Sequence, residues 1–215
     1  MRAPEITVID YGVGNLLSVS RGLEHCGAKV NMSSDPEFIL KSQKVILPGV
    51  GAFPNGMRAL IELGLDTVIK EVVNNGVPLL GICLGMQLLL DESEEFGITK
   101  GLGVIPGKVV PIPNKSVDGE IQKIPHIGWS SLVNSGEDWQ NTILQEVREG
   151  EAVYFVHSFM ASPEKSEDRL ADALYGGHKI SAVIAKGNTT GCQFHPEKSG
   201  EIGLNILRNF INLEG

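Results

Sequence analysis

Three short apolar runs, Ile6-Thr7-Val8-Ile9, Val45-Ile46-Leu47 and Leu79-Leu80-Gly81-Ile82, each lead into a glycine-rich turn and then a helical pattern. That repetition constrains the fold strongly. Continuous apolar strands alternating with helices are buried on both faces, which requires a parallel sheet covered by helices on each side. The helical patterns run over Leu16 to His25, closed by Gly27, over Met57 to Asn74, broken near Gly64, and over Leu84 to Asp91. Val30-Asn31-Met32 adds a further strand.

From Gly101 onward the texture changes. Lys108 to Ile112, Ala152 to Val156, Ile180 to Ile184 and Thr190 to Phe194 read as strands joined by turns, so an antiparallel extension of the sheet is expected. Asn114 to Gln122 and Pro163 to Asp168 read as loops, and Ile202 to Leu213 as a closing helix. With 215 residues and no Pro/Ser/Gly-rich linker, the expectation is one α/β domain over 1–215.

Composition narrows the function classes. A formal charge of −8 argues against nucleic acid as the main partner, because phosphate binding needs concentrated Lys and Arg. No run of apolar residues is long enough for a spanning helix, and the first residues lack a signal-peptide core. The three cysteines, Cys26, Cys83 and Cys192, have no disulfide spacing, which fits a reducing cytoplasm.

The third glycine turn carries the chemistry. Gly81-Ile82-Cys83-Leu84-Gly85 puts a cysteine between glycines at a strand-to-helix junction, the layout of a nucleophile elbow. Glycines on both sides let the backbone turn tightly, and the helix N-terminus favours thiolate. A cysteine met alone is more often a small core residue, but its position at this junction reverses that reading. The second turn, Pro48-Gly49-Val50-Gly51, offers backbone N–H groups for an oxyanion, with the Leu84 N–H as the other natural donor.

Five histidines compete for the role of base. His25 suits surface or packing, His178 a turn, and His126 and His157 satisfied core positions. His195 stands out in Gln193-Phe194-His195-Pro196-Glu197. The residue before proline is biased to extended geometry, and positions 195 and 197 of an extended chain point the same way. Glu197 can then hold the imidazole, giving Cys83, His195 and Glu197 the roles of nucleophile, base and orienting acid. Cys192 and His195 form one Cys-x₂-His pair with no matching second pair, so no metal site is expected. A rival reading from another class is a nucleotide-binding module built on Gly12-Val13-Gly14 and Asp35. Its third glycine position is Leu17, which weakens the match. A non-catalytic scaffold that only docks a partner is the other rival.

The elbow, the Pro-Gly-Val-Gly turn and His-Pro-Glu together resemble the class I, triad-type glutamine amidotransferases, whose architecture is flavodoxin-like. Further segments, Ile9 to Asn15, Pro125 to Trp129 and Tyr154 to Ser158, are similar to the subfamily of glutaminase subunits of imidazole glycerol phosphate synthases. The resemblance runs from residue 6 to about 213. It implies that Cys83 attacks the side-chain amide of L-glutamine, that His195 protonates the departing ammonia, and that a glutamyl thioester is then hydrolysed, with no cofactor. It implies oxyanion donors at Gly49, Val50, Gly51 and Leu84, and glutamine contacts at Gln87, Glu95, Ser158 and Phe159.

Ammonia is useful only as NH₃, and in neutral water it is mostly trapped as ammonium. The resemblance therefore implies a heterodimer with a (β/α)₈-barrel cyclase that receives NH₃ through a channel and makes imidazole glycerol phosphate and AICAR in histidine biosynthesis. Trp129, Tyr154 and Lys186 resemble interface and gate residues. The run Asp91 to Gly97 also resembles a paralogous group that supplies ammonia for amidino sugars of bacterial surface polysaccharides, so two acceptors stay open.

Overall fold

The computed structural model describes residues 3–213. The first half is an alternating β/α chain: β1 (Glu5–Ile9), α1 (Leu16–His25), β2 (Lys29–Ser33), α2 (Pro36–Leu40), β3 (Val45–Gly49), α3 (Phe53–Glu62), α4 (Leu65–Asn74), β4 (Leu79–Cys83) and α5 (Leu84–Leu88). Strands dominate thereafter: β5 (Glu92–Ser93), β6 (Thr99–Lys100), β7 (Gly107–Pro111), β8 (His126–Asn134), β9 (Ala152–His157), β10 (Phe159–Pro163), β11 (Arg169–Tyr175), β12 (His178–Lys186) and β13 (Thr189–Cys192), closed by α6 (Gly200–Asn212).

Nine strands form the main sheet in the order β2-β1-β3-β4-β13-β12-β11-β8-β9. Pairing is parallel from β2 to β13 and antiparallel from there to β9. A smaller sheet, β10-β7-β5-β6, stands beside it. The strands β3 and β4 are wholly buried, as their unbroken apolar sequences require. The longer helices bury one stripe each, in α4 Leu65, Val68, Ile69 and Val72, the spacing of one helical face, whereas α5 is buried all round.

Two apolar layers result. One, with Ile6, Val8, Val19, Leu23, Phe194 and Phe210, lies under α1 and α6. The other, with Ile9, Leu47, Phe53, Leu60, Ile69 and Leu84, lies under α3, α4 and α5. This is the α/β architecture the sequence predicts, parallel half and antiparallel extension included.

Several boundaries differ from expectation. The helical stretch before Gly64 begins at Phe53, with Pro54 in its first turn, and Gly64 divides it from α4 in the left-handed region at φ 66°. The elbow helix ends at Leu88 instead of Asp91, because Leu89 and Leu90 turn back to receive the N–H groups of 103–105 on their carbonyls. Pro163 belongs to β10, and 166–168 form a 3₁₀ turn, where a loop over Pro163 to Asp168 was expected. The most consequential feature is β13, which slots between β4 and the antiparallel strands. Its pairing of Cys192 with Ile82 sets Gln193 and His195 at the same sheet edge as Cys83.

Candidate active site

Cys83 ends β4 and caps α5 with φ 54° and ψ −111°. A non-glycine residue is rarely found there, and such strain persists where surrounding packing over-determines it. The glycines flanking the elbow are required by contact. A Cβ on Gly81 would lie 2.8 Å from the Gly85 carbonyl oxygen, and one on Gly85 would be driven into the Leu47 carbonyl. The thiol is 7% exposed, at the floor of a cavity of about 300 Å³ lined by Val50, Gly51, Leu84, Gln87, His195 and others.

Opposite stands His195, whose backbone is extended, as the following proline demands. Its Nδ1 lies 2.9 Å from Glu197 Oε1, with both side chains almost wholly buried. The main chain is pinned twice: the His195 N–H donates to the Tyr154 carbonyl at 3.0 Å, and the Ser199 hydroxyl donates to the His195 carbonyl at 2.7 Å. Nε2 is buried without a hydrogen-bond partner. Burial pulls the His195 pKa down, but the Cys83 sulfur close by and the Glu197 carboxylate bonded at Nδ1 outweigh it and push it up to about 9.

That shift has a consequence for stability. Because the folded pKa lies above the ordinary 6.5, the stabilisation from imidazolium is complete below pH 6.5 and is lost as pH rises through about 9. The melting temperature of the protein minus that of its His195→Gln variant is expected to be largest at pH 6 and to shrink as pH rises from 6.5 to about 9. A difference that ignores pH would refute the charge pairing.

One wall of the cavity is built from the turn after β3. Val50 and Gly51 line the cavity with Leu84, and Gly51 has φ 101°. Gly49 is in register with Cys83 but sits behind the cavity, where a Cβ would come within 2.9 Å of Leu84 Cβ. Tyr11 steadies this turn by donating its hydroxyl to the Pro48 carbonyl at 2.8 Å. Burial first, and the Cys83 charge second, push the Tyr11 phenol far up, so it stays protonated.

Gln87, Glu95, Ser158 and Phe159 all line the cavity. Both Gln87 amide hydrogens are engaged, to the Phe159 carbonyl at 2.9 Å and Gln193 Oε1 at 3.0 Å. Only the acceptor Oε1 is left for a ligand, which suits an ammonium group. Glu95 Oε2 accepts from the Phe53 N–H at 2.7 Å, which fixes the carboxylate at the start of α3.

Trp129 and Tyr154 face one another across β8 and β9 with ring centroids 6.0 Å apart, and Trp129 is 57% exposed. Lys186 is not with them. It pairs with Thr189 beside the start of β4, about 13 Å down the sheet from the Cys83 end at 3.3 Å per residue. An exposed lysine that does lie at the active-site end is Lys198, directly after Glu197 in the 3₁₀ turn. Its adjacency to His-Pro-Glu was the signal available in the sequence.

Gln193, Tyr11 and His157 are the other site residues that sequence reasoning missed as such. The apolar stretch around His157 suits a core position, and it is buried, but it also lines the cavity. His25 is exposed, and His178 opens β12 immediately after the Gly176-Gly177 turn. Cys192 is buried in β13, where burial raises its thiol pKa well above the ordinary value. Among the described residues, no helix is long and apolar enough to cross a membrane.

A strained cysteine elbow, a carboxylate-held histidine and a mixed sheet agree with the comparison with known families. Residues 7–213 match the model of the glutamine amidotransferase class-I family, and the chain belongs to that family. Over 210 residues it is 53% identical to "Imidazole glycerol phosphate synthase subunit HisH 1" of Legionella pneumophila (strain Lens), covering 97% of this chain and 99% of that one. It is 49% identical over 208 residues to the HisH subunit of Geobacillus sp. (strain WCH70), covering 97% and 96% of the two chains. Among solved structures, PurLQS from Thermotoga maritima superposes with a TM-score of 0.72 at 18% identity, covering 98% of this chain and 99% of that one, which speaks to the fold alone.

Proposed function

We propose that this chain hydrolyses L-glutamine to L-glutamate and ammonia at Cys83 and hands the ammonia to a (β/α)₈-barrel cyclase that makes imidazole glycerol phosphate. The observation that carries the reading is the His195 ring. Nδ1 is locked to Glu197 while Nε2 is buried and free beside the cysteine cavity, the arrangement a shuttle between sulfur and leaving group needs.

In this reading Sγ adds to the amide carbon of glutamine and the oxyanion takes N–H donors from Val50, Gly51 and Leu84. His195 Nε2–H then protonates the amide nitrogen, the C–N bond breaks, and ammonia leaves a glutamyl thioester. A water, deprotonated at Nε2, attacks the thioester carbon and the C–S bond breaks to give glutamate and free Cys83. Gln87 Oε1 and Glu95 receive the α-ammonium group, and the Ser158-Phe159 segment lies near the α-carboxylate. Such a thiol works in a reducing cytoplasm.

The partner assignment rests on the HisH relatives and on the rim of the cavity. Exposed Ile127 and Trp129 continue from Pro125, and Val50, 41% exposed, lies across the mouth. Apolar residues grouped around a catalytic mouth suit a docked protein. We read Trp129 and Tyr154 as interface residues and assign the cation at that face to Lys198 instead of Lys186.

The test is glutamate release by the chain mixed with a candidate barrel cyclase, with and without that enzyme's ribonucleotide substrate. Stimulation by roughly tenfold or more supports the assignment. Hydrolysis that ignores the cyclase keeps the glutaminase and moves the acceptor to the amidino-sugar paralogues. No hydrolysis in either mixture leaves a docking scaffold.

A further inference from the structure

Six hydrogen bonds run without a break from β8 to the nucleophile. Ser130 Oγ lies 2.9 Å from His126 Nε2, His126 Nδ1 lies 3.0 Å from His157 Nε2, and His157 Nδ1 lies 2.8 Å from the Phe159 carbonyl. The same carbonyl takes Gln87 Nε2 at 2.9 Å, Gln87 Nε2 also donates to Gln193 Oε1 at 3.0 Å, and Gln193 Nε2 lies 3.8 Å from Cys83 Sγ. All four amide and imidazole side chains are buried, Gln193 completely.

The chemistry of one atom fixes the direction of the whole chain. A carbonyl oxygen can only accept, so the Phe159 oxygen requires a hydrogen on His157 Nδ1 and on Gln87 Nε2. Neutral His157 must then accept at Nε2, His126 must carry its hydrogen on Nδ1, and His126 Nε2 accepts from the Ser130 hydroxyl. Burial, followed by the nearby His126 and His195, brings the His157 pKa down to about 4 against the opposing pull of the Phe159 carbonyl, so the neutral form holds at neutral pH. On the other branch, Gln193 must present its oxygen to Gln87 and therefore its NH₂ to the sulfur.

We propose that Gln193 is a positioning residue for the nucleophile, its amide N–H aimed by this relay to hold the Cys83 sulfur and favour its anion. This rests on the reading of Cys83 as nucleophile, but the tests below need no glutamine turnover, so the two can fail separately. A hydrogen bond to a charged group is the stronger kind, and a donor that cannot rotate away loses nothing to reorganisation. The titratable groups facing the sulfur are His195 beyond the end of β13, Cys192 within it, Tyr11 after β1, and Glu95 and the neutral His157 of β9 across the cavity. A Gln193 substitution changes none of them, so a shift in sulfur ionisation reports the lost donor.

Two measurements decide it. In Gln193→Met, a near match in length without the donor, the midpoint of Cys83 alkylation by iodoacetamide against pH, resolved by peptide mass spectrometry, is expected to rise by about one unit. The rate at pH 7 should fall about tenfold. An unchanged midpoint overturns the proposal and leaves Gln193 a packing residue. The unsubstituted protein supplies the second measurement should that variant fold poorly. Nitrogen-15 spectra are expected to show His126 and His157 both as Nδ1–H tautomers, with the Gln193 side-chain amide titrating at the midpoint of Cys83 alkylation. An Nε2–H tautomer at either histidine, or a Gln193 amide that ignores Cys83, overturns it.

Discussion

Replacing Cys83 by alanine is expected to lower glutamine turnover by at least about 10⁴-fold while glutamine binding persists, because only the group that forms the thioester is removed. The cavity has no substitute nucleophile on the elbow. Ser158 lies on the opposite wall, and His195 and Glu197 hold each other. Glu197→Gln should be less severe, about 10²- to 10⁴-fold, since the sulfur remains and only the hold on the imidazole weakens. Glutamate release under saturating glutamine, with calorimetric titration of glutamine onto the alanine variant, checks both halves. Residual turnover within tenfold of the unsubstituted chain would mean that water attacks directly and the thioester is not formed. The backbone adds a diagnostic. Cys83 sits at φ 54°, which glycine adopts freely, so Cys83→Gly should abolish turnover and raise stability by about 1 kcal/mol or more. A substitution that melts later and works worse is the signature of strain retained for chemistry.

What could be read from the chain beforehand follows a physical divide. The strands β1, β3 and β4 are buried on both faces, so their sequences are continuous apolar runs that no loop imitates. The strands β8 and β11 escaped notice. His-Ile-Gly-Trp-Ser-Ser-Leu-Val-Asn alternates buried and exposed positions and keeps only His126 and Leu132 fully inside, while Arg169-Leu-Ala-Asp buries an ion-paired aspartate, Asp172. Neither reads as a strand until its neighbours are known. The grouping of Cys83, His195 and Glu197 was legible because sequence-local rules govern it: glycines at a turn, and a histidine before proline with an acid two residues on. Gln193, Tyr11 and the histidine pair were not, because their roles depend on β13 pairing with β4 and on β8 pairing with β9. Lys186 shows the same limit. The family resemblance suggests it, but only the register of β12 on β13 says which end of the sheet it occupies.

Gly85→Ala is expected to prevent stable folding, costing more than about 4 kcal/mol, although intrinsic propensity alone would favour alanine in a helix by about 1 kcal/mol. The two effects oppose each other, and their sizes decide the sign. The backbone of Gly85 is helical, so no conformational demand requires glycine; the demand is space. An added Cβ would meet the Leu47 carbonyl oxygen, with the Leu47 carbonyl carbon only 2.8 Å away and the Pro48 carbonyl carbon at 3.3 Å. These are main-chain atoms of a central strand held between β1 and β4, so they cannot yield as a side chain would. Gly22→Ala in α1 is the control. Its Cβ would stand 3.0 Å from Leu207 Cδ1, the end of a flexible side chain, and stability should change by less than about 1 kcal/mol. Urea unfolding of both variants, followed by circular dichroism, separates the outcomes, and equal midpoints would mean that α5 does not press on β3. The close approach matters beyond stability. It is what lifts Cys83 between the turn after β3, which carries the proposed oxyanion donors, and the end of β13, which leads to His195. The glycine that sets the fold at this point therefore also sets the distance across which sulfur, oxyanion and imidazole must cooperate.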